Sequence, residues 1–124
     1  MVYLAVGCGG VLGAILRFLV DQLLSATALP PTSGILVVNL AGCFIIGFFL
    51  SLRSERFPPL FRVGFSTGFL GAFTTFSTFS VQALDLFLKM DMKASAVYVA
   101  LTVLAGFGCV QIGHSLALRM ERKS

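Results

Sequence analysis

The sequence predicts an all-α integral membrane protein with four transmembrane helices, on three observations. Of its 124 residues, 57% are hydrophobic and 11% charged, and the mean hydropathy is +0.98, a composition foreign to soluble domains of this size. Four apolar stretches, Tyr3–Leu24, Ile35–Leu52, Val63–Leu88 and Ala94–Leu118, are each close to or beyond the roughly 20 residues that cross a hydrocarbon core of ~30 Å. The prolines all lie between these stretches, as Pro30-Pro31 and Pro58-Pro59, whereas every glycine except Gly34 lies within one. Lipid favours that arrangement, because a helix there has no other partner for its backbone groups and glycine lets neighbouring helices approach closely.

The first stretch is too long, too rich in glycine and too weakly basic at its start for a cleaved signal peptide. Gly9 and Gly13 form a GxxxG pattern with Gly10 and Ala14 beside them, and Arg17 and Asp21 share a face near the far end, where they can pair or reach water. In the second stretch Asn39 is a single amide in an apolar helix, followed three residues later by Gly42.

The third stretch opens with another GxxxG, Gly64 and Gly68, and is longer than a bilayer needs. Within it Thr74, Thr75, Ser77, Thr78 and Ser80 surround Phe76 and Phe79. Phe61, Phe65, Phe69 and Phe73 recur every four residues, but Phe76 and Phe79 are three apart, so at ~100° per residue the aromatic stripe drifts one way and then turns back. Gly71 and the Thr74-Thr75 pair weaken the helix at that point, and a break is expected there. In the fourth stretch Tyr98, Thr102 and Gly106 line one face.

The chain reads as a single domain, residues 1–124. Connectors of about five to ten residues make consecutive helices antiparallel neighbours. Both termini then share one side with Arg53, Arg56, Arg62, Arg119, Arg122 and Lys123, against Lys89, Lys93 and Arg17 opposite. This bias orients the termini to the cytoplasm, and the net charge of +4 reads as helix anchoring rather than nucleic-acid binding.

Cys8, Cys43 and Cys109 lie inside spans without metal-ligand spacing, which argues against a disulfide framework or a zinc site, and His114 has no second histidine or carboxylate nearby in sequence. No Ser/His/Asp or metal constellation can be assembled, so enzymatic chemistry is not expected. A proton-coupled exporter of the small multidrug type would need a carboxylate at mid-membrane, and none is present. A non-conducting assembly subunit is the other rival.

Neutral polarity at membrane depth remains. A hydroxyl alone can satisfy itself on the carbonyl four residues back, and a lone Asn can simply join two helices. Polar stripes on three helices ask for more. Hydroxyls and an amide can donate to an anion, a phenyl ring presents a positive edge, and a broken helix frees carbonyl oxygens for a cation. Weak neutral donors suit conduction, since an ion held tightly would not leave. The pattern points to anion permeation without naming the anion.

The run Gly68-Phe-Leu-Gly-Ala-Phe-Thr-Thr-Phe-Ser-Thr-Phe79, with Gly9-Gly-Val-Leu-Gly-Ala-Ile-Leu-Arg17 and Asn39-Leu-Ala-Gly-Cys-Phe-Ile-Ile-Gly47, resembles the Fluc (CrcB) fluoride channels over essentially the whole chain. The resemblance implies an antiparallel, dual-topology homodimer in the cytoplasmic membrane, four helices per subunit, passing fluoride out of the cell through two pores along the interface and so relieving fluoride toxicity. It implies that Phe76 and Phe79 are pore phenylalanines, that Asn39 is the pore asparagine, and that Tyr98 and Thr102 begin the polar track of the fourth helix. Thr75, Ser77 and Thr78 complete the motif, and Arg17 matches the arginine of the first helix. Gly71 and Thr74 are expected to offer carbonyls at the break to a sodium ion shared by both subunits. Three positions depart from the pattern: Ala72 replaces a glycine, Gln82 stands where many members carry glutamate, and Gly106 stands where the track often continues with serine.

Overall fold

The computed structural model describes residues 1–89 and 91–123, and their regular elements are all helical. Helix α1 is Val2–Ser25 and α2 is Ser33–Ser51. A 3-10 turn, Ser54–Arg56, leads to α3, which begins as Pro59–Val63, widens into a π-helical stretch Gly64–Leu70 and ends with Gly71–Phe73. Helix α4 is Phe76–Lys89 and α5 is Met92–Lys123.

Local chemistry sets several of these ends. Pro59 opens α3, where its missing N–H costs nothing. Ahead of α5 the Asp91 carboxylate accepts the Ala94 N–H at 2.6 Å, a side-chain cap on otherwise orphaned donors.

Helices α1, α2 and α5, at 24, 19 and 32 residues, are long and apolar enough to cross a membrane. At 14 residues α4 is only ~21 Å long and cannot cross alone. Helix α5 runs past Leu118, where the sequence expects the span to end. Its last turn is held by Glu121, which meets Arg53 at 3.0 Å and Arg56 at 3.3 Å. Ala5 packs on Gly64 near the start of the chain, so both termini and the Arg53–Arg56 connector share one end.

Short connectors do not decide which helices pack most closely. The tightest pairs are α1 with α3 and α2 with α5, each parallel, and glycine makes both. A Cβ on Gly9 would overlap the Gly64 carbonyl, one on Gly13 the Phe69 carbonyl, and one on Gly68 the Val6 carbonyl. In the second pair Gly47 sits on the Val110 backbone and Gly113 on that of Phe44 and Phe48. Packing within the chain does not explain every glycine, because Gly7, Gly71 and Gly108 face open space.

The π-helical stretch also changes the reading of the aromatic stripe. An α-helix would rotate residues four apart steadily out of line, but a π turn holds more than four residues and rotates them back. Phe61, Phe65, Phe69 and Phe73 therefore stack in near-parallel register, with centroids 5.2–5.9 Å apart and planes 6–9° apart.

Three isolated polar groups outside the break are also placed. Among the described residues Arg17 makes no ion pair, and Asp21 packs against Gly34 instead. His114 bonds through Nδ1 to Ser51 Oγ at 2.6 Å, tying α5 to α2. Since Ser51 donates its own proton to Gly47 O, the hydrogen in the His114 contact belongs on Nδ1.

Candidate functional site

The helical path is interrupted at Thr74 and Thr75. Thr74 is extended, with φ −76° and ψ 155°, and helix resumes at Phe76. Thr74 turns back on the preceding helix, its N–H and its hydroxyl both donating to the Leu70 carbonyl at 3.0 and 2.9 Å. Room for its methyl comes from α2, because a Cβ on Gly42 would overlap Thr74 Cγ2.

Asn39 brackets the next residue. Its Oδ1 accepts the Thr75 N–H at 2.9 Å and its Nδ2 donates to the Thr75 carbonyl at 3.1 Å. The amide thus gives Thr75 N–H, from a neighbouring helix, the acceptor it lacks at the break, and adds a donor to the Thr75 carbonyl. Thr75 itself caps α4: its Oγ1 accepts the Thr78 N–H at 3.2 Å, donates to Thr78 Oγ1 at 3.1 Å, and lies 3.2 Å from Ser77 Oγ.

These substitutions single out two carbonyls. In a continuous helix the Gly71 carbonyl would accept from Thr75 N–H, and the Thr74 carbonyl from Thr78 N–H. Both donors are now engaged elsewhere, by Asn39 Oδ1 and Thr75 Oγ1. Gly71, with no side chain and nothing near where one would stand, leaves its own peptide accessible. The break therefore sets released acceptors at the end of α3 beside the N-terminus of α4, where partial positive charge favours an anion.

The surface around the break is a groove of roughly 440 Å³, lined in part by Asn39, Gly71, Thr74, Thr75, Phe76, Phe79 and Thr102, with no Asp, Glu, Lys, Arg or His on its walls. The two phenylalanines that follow the break differ. Phe79 is 9% exposed and packs its ring 5.4 Å from Tyr98, whereas Phe76 is 81% exposed. Their ring centroids stand 5.8 Å apart with planes tilted by 45°.

Tyr98 is buried behind this wall with Ile35 and Phe79. Its hydroxyl donates to Gln82 Oε1 at 2.8 Å, and Thr102 donates to the Tyr98 carbonyl at 2.8 Å. Ser77 is exposed at the start of α4, Thr78 is held in the cap, and Arg17 is half-buried on α1, outside the groove walls. Gln82 and Gly42 are the two contributors that sequence reasoning did not assign a role. Gly42 had one signal, its position one turn after Asn39, while the contact of Gln82 with Tyr98 crosses between helices and has no local mark.

The family model described as "CrcB-like protein, Camphor Resistance (CrcB)" matches residues 4–114. The chain is 40% identical over 116 residues to a fluoride-specific ion channel FluC of Chlorobium phaeobacteroides, covering 92% of this chain and 91% of the relative. It is 35% identical over 126 residues to FluC 2 of Geobacillus kaustophilus, covering 99% and 97%. To FluC of Rhizobium etli (strain ATCC 51251) it is 40% identical over 118 residues, covering 91% and 93%.

Proposed function

The chain belongs to the CrcB family, and on that premise we propose that it is a subunit of a passive, fluoride-selective channel that lets fluoride leave the cytoplasm and so relieves its toxicity. The observation that carries this reading is the uncharged groove at an interrupted helix, with donors on three sides and no carboxylate to couple protons. The protein is a transporter and not an enzyme.

Under this reading α3 and α4 together make one broken membrane span, the third of four. The exposed face around Phe76, continued by Val103 and Phe107, is too apolar for water and is covered by a second, antiparallel copy, making a dual-topology homodimer in the inner membrane. Each groove then becomes the wall of a closed path.

Fluoride entering that path has no cationic side chain to hold it. Phe76 and Phe79 offer ring edges, which carry the positive end of the quadrupole. Asn39 has a second amide hydrogen beyond the one given to Thr75, and Thr102, with Tyr98 behind it, continues the polar track. Thr75, Ser77 and Thr78 hold the start of α4, so its dipole aims into the path. Arg17 is assigned to the vestibule.

Sodium fits the acceptor side of the break. Gly71 and Thr74 would hold it through carbonyls released from the ladder, and such hard cations take oxygen ligands, roughly six of them. Two per chain are too few, which is a further reason for a second copy at that point. The ion would neutralise acceptor dipoles that otherwise repel fluoride.

Purified protein in liposomes, followed with fluoride- and chloride-selective electrodes, tests the proposal. Fluoride efflux without a proton gradient, with chloride retained, is the expected result. Equal chloride efflux, or efflux that requires a proton gradient, would overturn it.

A further inference from the structure

The wall of the groove carries one thiol, Cys43, and the seam of α2 and α5 beside it holds a second, Cys109; the ion path uses neither. Helices α2 and α5 run parallel and very close here. A Cβ on Gly106 would stand 3.4 Å from Cys43 Sγ, and one turn further along both helices Gly47 rests on the Val110 backbone. Gly106, Cys109 and Gly113 are spaced i, i+3, i+7 and so share a face of α5, and both of these glycines meet α2. Cys109 is therefore turned to the same seam as Cys43. Both cysteines are free and half-buried, and Cys43 lines the groove.

We propose that Cys43 and Cys109 form a two-thiol site for a soft, two-coordinate metal cation, and that a cation bound there stops conduction through the adjacent groove. Among the described residues no group of three or more His, Cys, Asp or Glu side chains comes together, so ions that need a full tetrahedral or octahedral shell are not served. Two thiolates suffice for silver(I), copper(I) or mercury(II), which prefer sulfur and accept linear coordination. Binding breaks two S–H bonds and forms two metal–sulfur bonds, releases two protons to water and transfers no electrons. The entry route is the groove itself, through Cys43. The inhibitory half of the proposal rests on the channel reading, whereas the binding half does not.

Mercury(II) chloride is the probe, and Cys8→Ser is the background, since Cys8 is exposed and would bind metal alone. Native mass spectrometry should find one mercury per chain with the loss of two protons. Against competing 2-mercaptoethanol this protein should hold mercury on the order of a hundredfold more tightly than the C8S/C43S or C8S/C109S variants, because the second thiol binds intramolecularly. In liposomes mercury should stop fluoride efflux through C8S, reversibly with dithiothreitol, and leave the two double variants conducting. Two mercury ions per chain, or retention unaffected by C109S, overturns the site. Mercury held between both thiols with efflux undiminished overturns the inhibition. Absence of efflux before any metal is added counts against the channel reading alone, and the mass measurement still decides the site.

Discussion

Phenylalanine is packed in two different ways on either side of Thr74. Before the break, Phe61, Phe65, Phe69 and Phe73 stack with planes within 9° of parallel, along a helix whose glycines press its backbone against α1. After it, Phe76 and Phe79 are tilted by 45°, one almost fully exposed and the other packed on Tyr98. A stack of faces turns its positive edges outward all round and holds a shape; a tilted pair beside a groove can aim an edge at something passing. The first arrangement is paid for in packing, and the second has almost none within the chain to lose.

That difference is open to attack most directly at its hinge. Asn39→Asp keeps the acceptor for Thr75 N–H but removes the donor to the Thr75 carbonyl, sets two oxygens against each other at 3.1 Å, and puts a carboxylate into the proposed anion path. We expect fluoride efflux to vanish and stability to fall by ~1–3 kcal/mol, the cost of unpairing one buried polar group. Flux assays with thermal denaturation in detergent measure both. Unchanged efflux would make Asn39 a packing residue only.

Next in size is Phe76→Ile set beside Phe69→Ile. The exposed ring should be dispensable for folding, so Phe76→Ile leaves the melting temperature within a few degrees of wild type while efflux drops on the order of a hundredfold, equivalent to ~3 kcal/mol of barrier. Phe69→Ile should do the reverse, with a loss of ~1–2 kcal/mol from the stack and little change in flux per folded protein. If both variants lose flux in proportion to stability, the two groups of phenylalanine have one role.

How far these roles can be read in the sequence follows from their range. The apolar stretches show in local hydropathy, and the weak point at Gly71-Ala-Phe-Thr-Thr75 shows in local propensity, so spans and interruption are both legible. The π-helical stretch is not: nothing in Gly64–Leu70 by itself asks for wider turns, which come from fitting Gly64 and Gly68 against the backbone of α1. Asn39 was visible as an isolated amide, but its two bonds to Thr75 span 36 residues and only the fold brings them together. Likewise the connectors mark Ser33–Ser51 and Pro59–Val63 as neighbours in sequence, whereas glycine contacts unite α1 with α3 and α2 with α5.

The glycine seams should respond to bulk and not to chemistry. Gly47→Val pushes methyl groups into the Val110 backbone, with no flexible side chain to move aside. A loss of ~1–3 kcal/mol is expected from such overpacking, read as a lower melting temperature. Gly108→Val, at a position with open space around it, should cost nothing, because valine is the better helix former of the two. Equal effects at the two positions would mean that Gly108 is covered in the assembly, and would place the second copy against that face.

The smallest effect tests the back of the aromatic pair. Tyr98 supports Phe79 with its ring and is itself tied to α4 through Gln82, at 2.8 Å. Tyr98→Phe keeps the ring and deletes the donor, so it should cost about 1 kcal/mol, the net worth of one such bond. Efflux should fall only severalfold, because Phe79 stays in place. Gln82→Ala removes the acceptor from the other side and should match it, and the double variant should be no worse than either single change if the bond is their shared contribution. Additive losses would mean instead that the Tyr98 hydroxyl and Gln82 act separately, with Gln82 meeting the ion path on its own account.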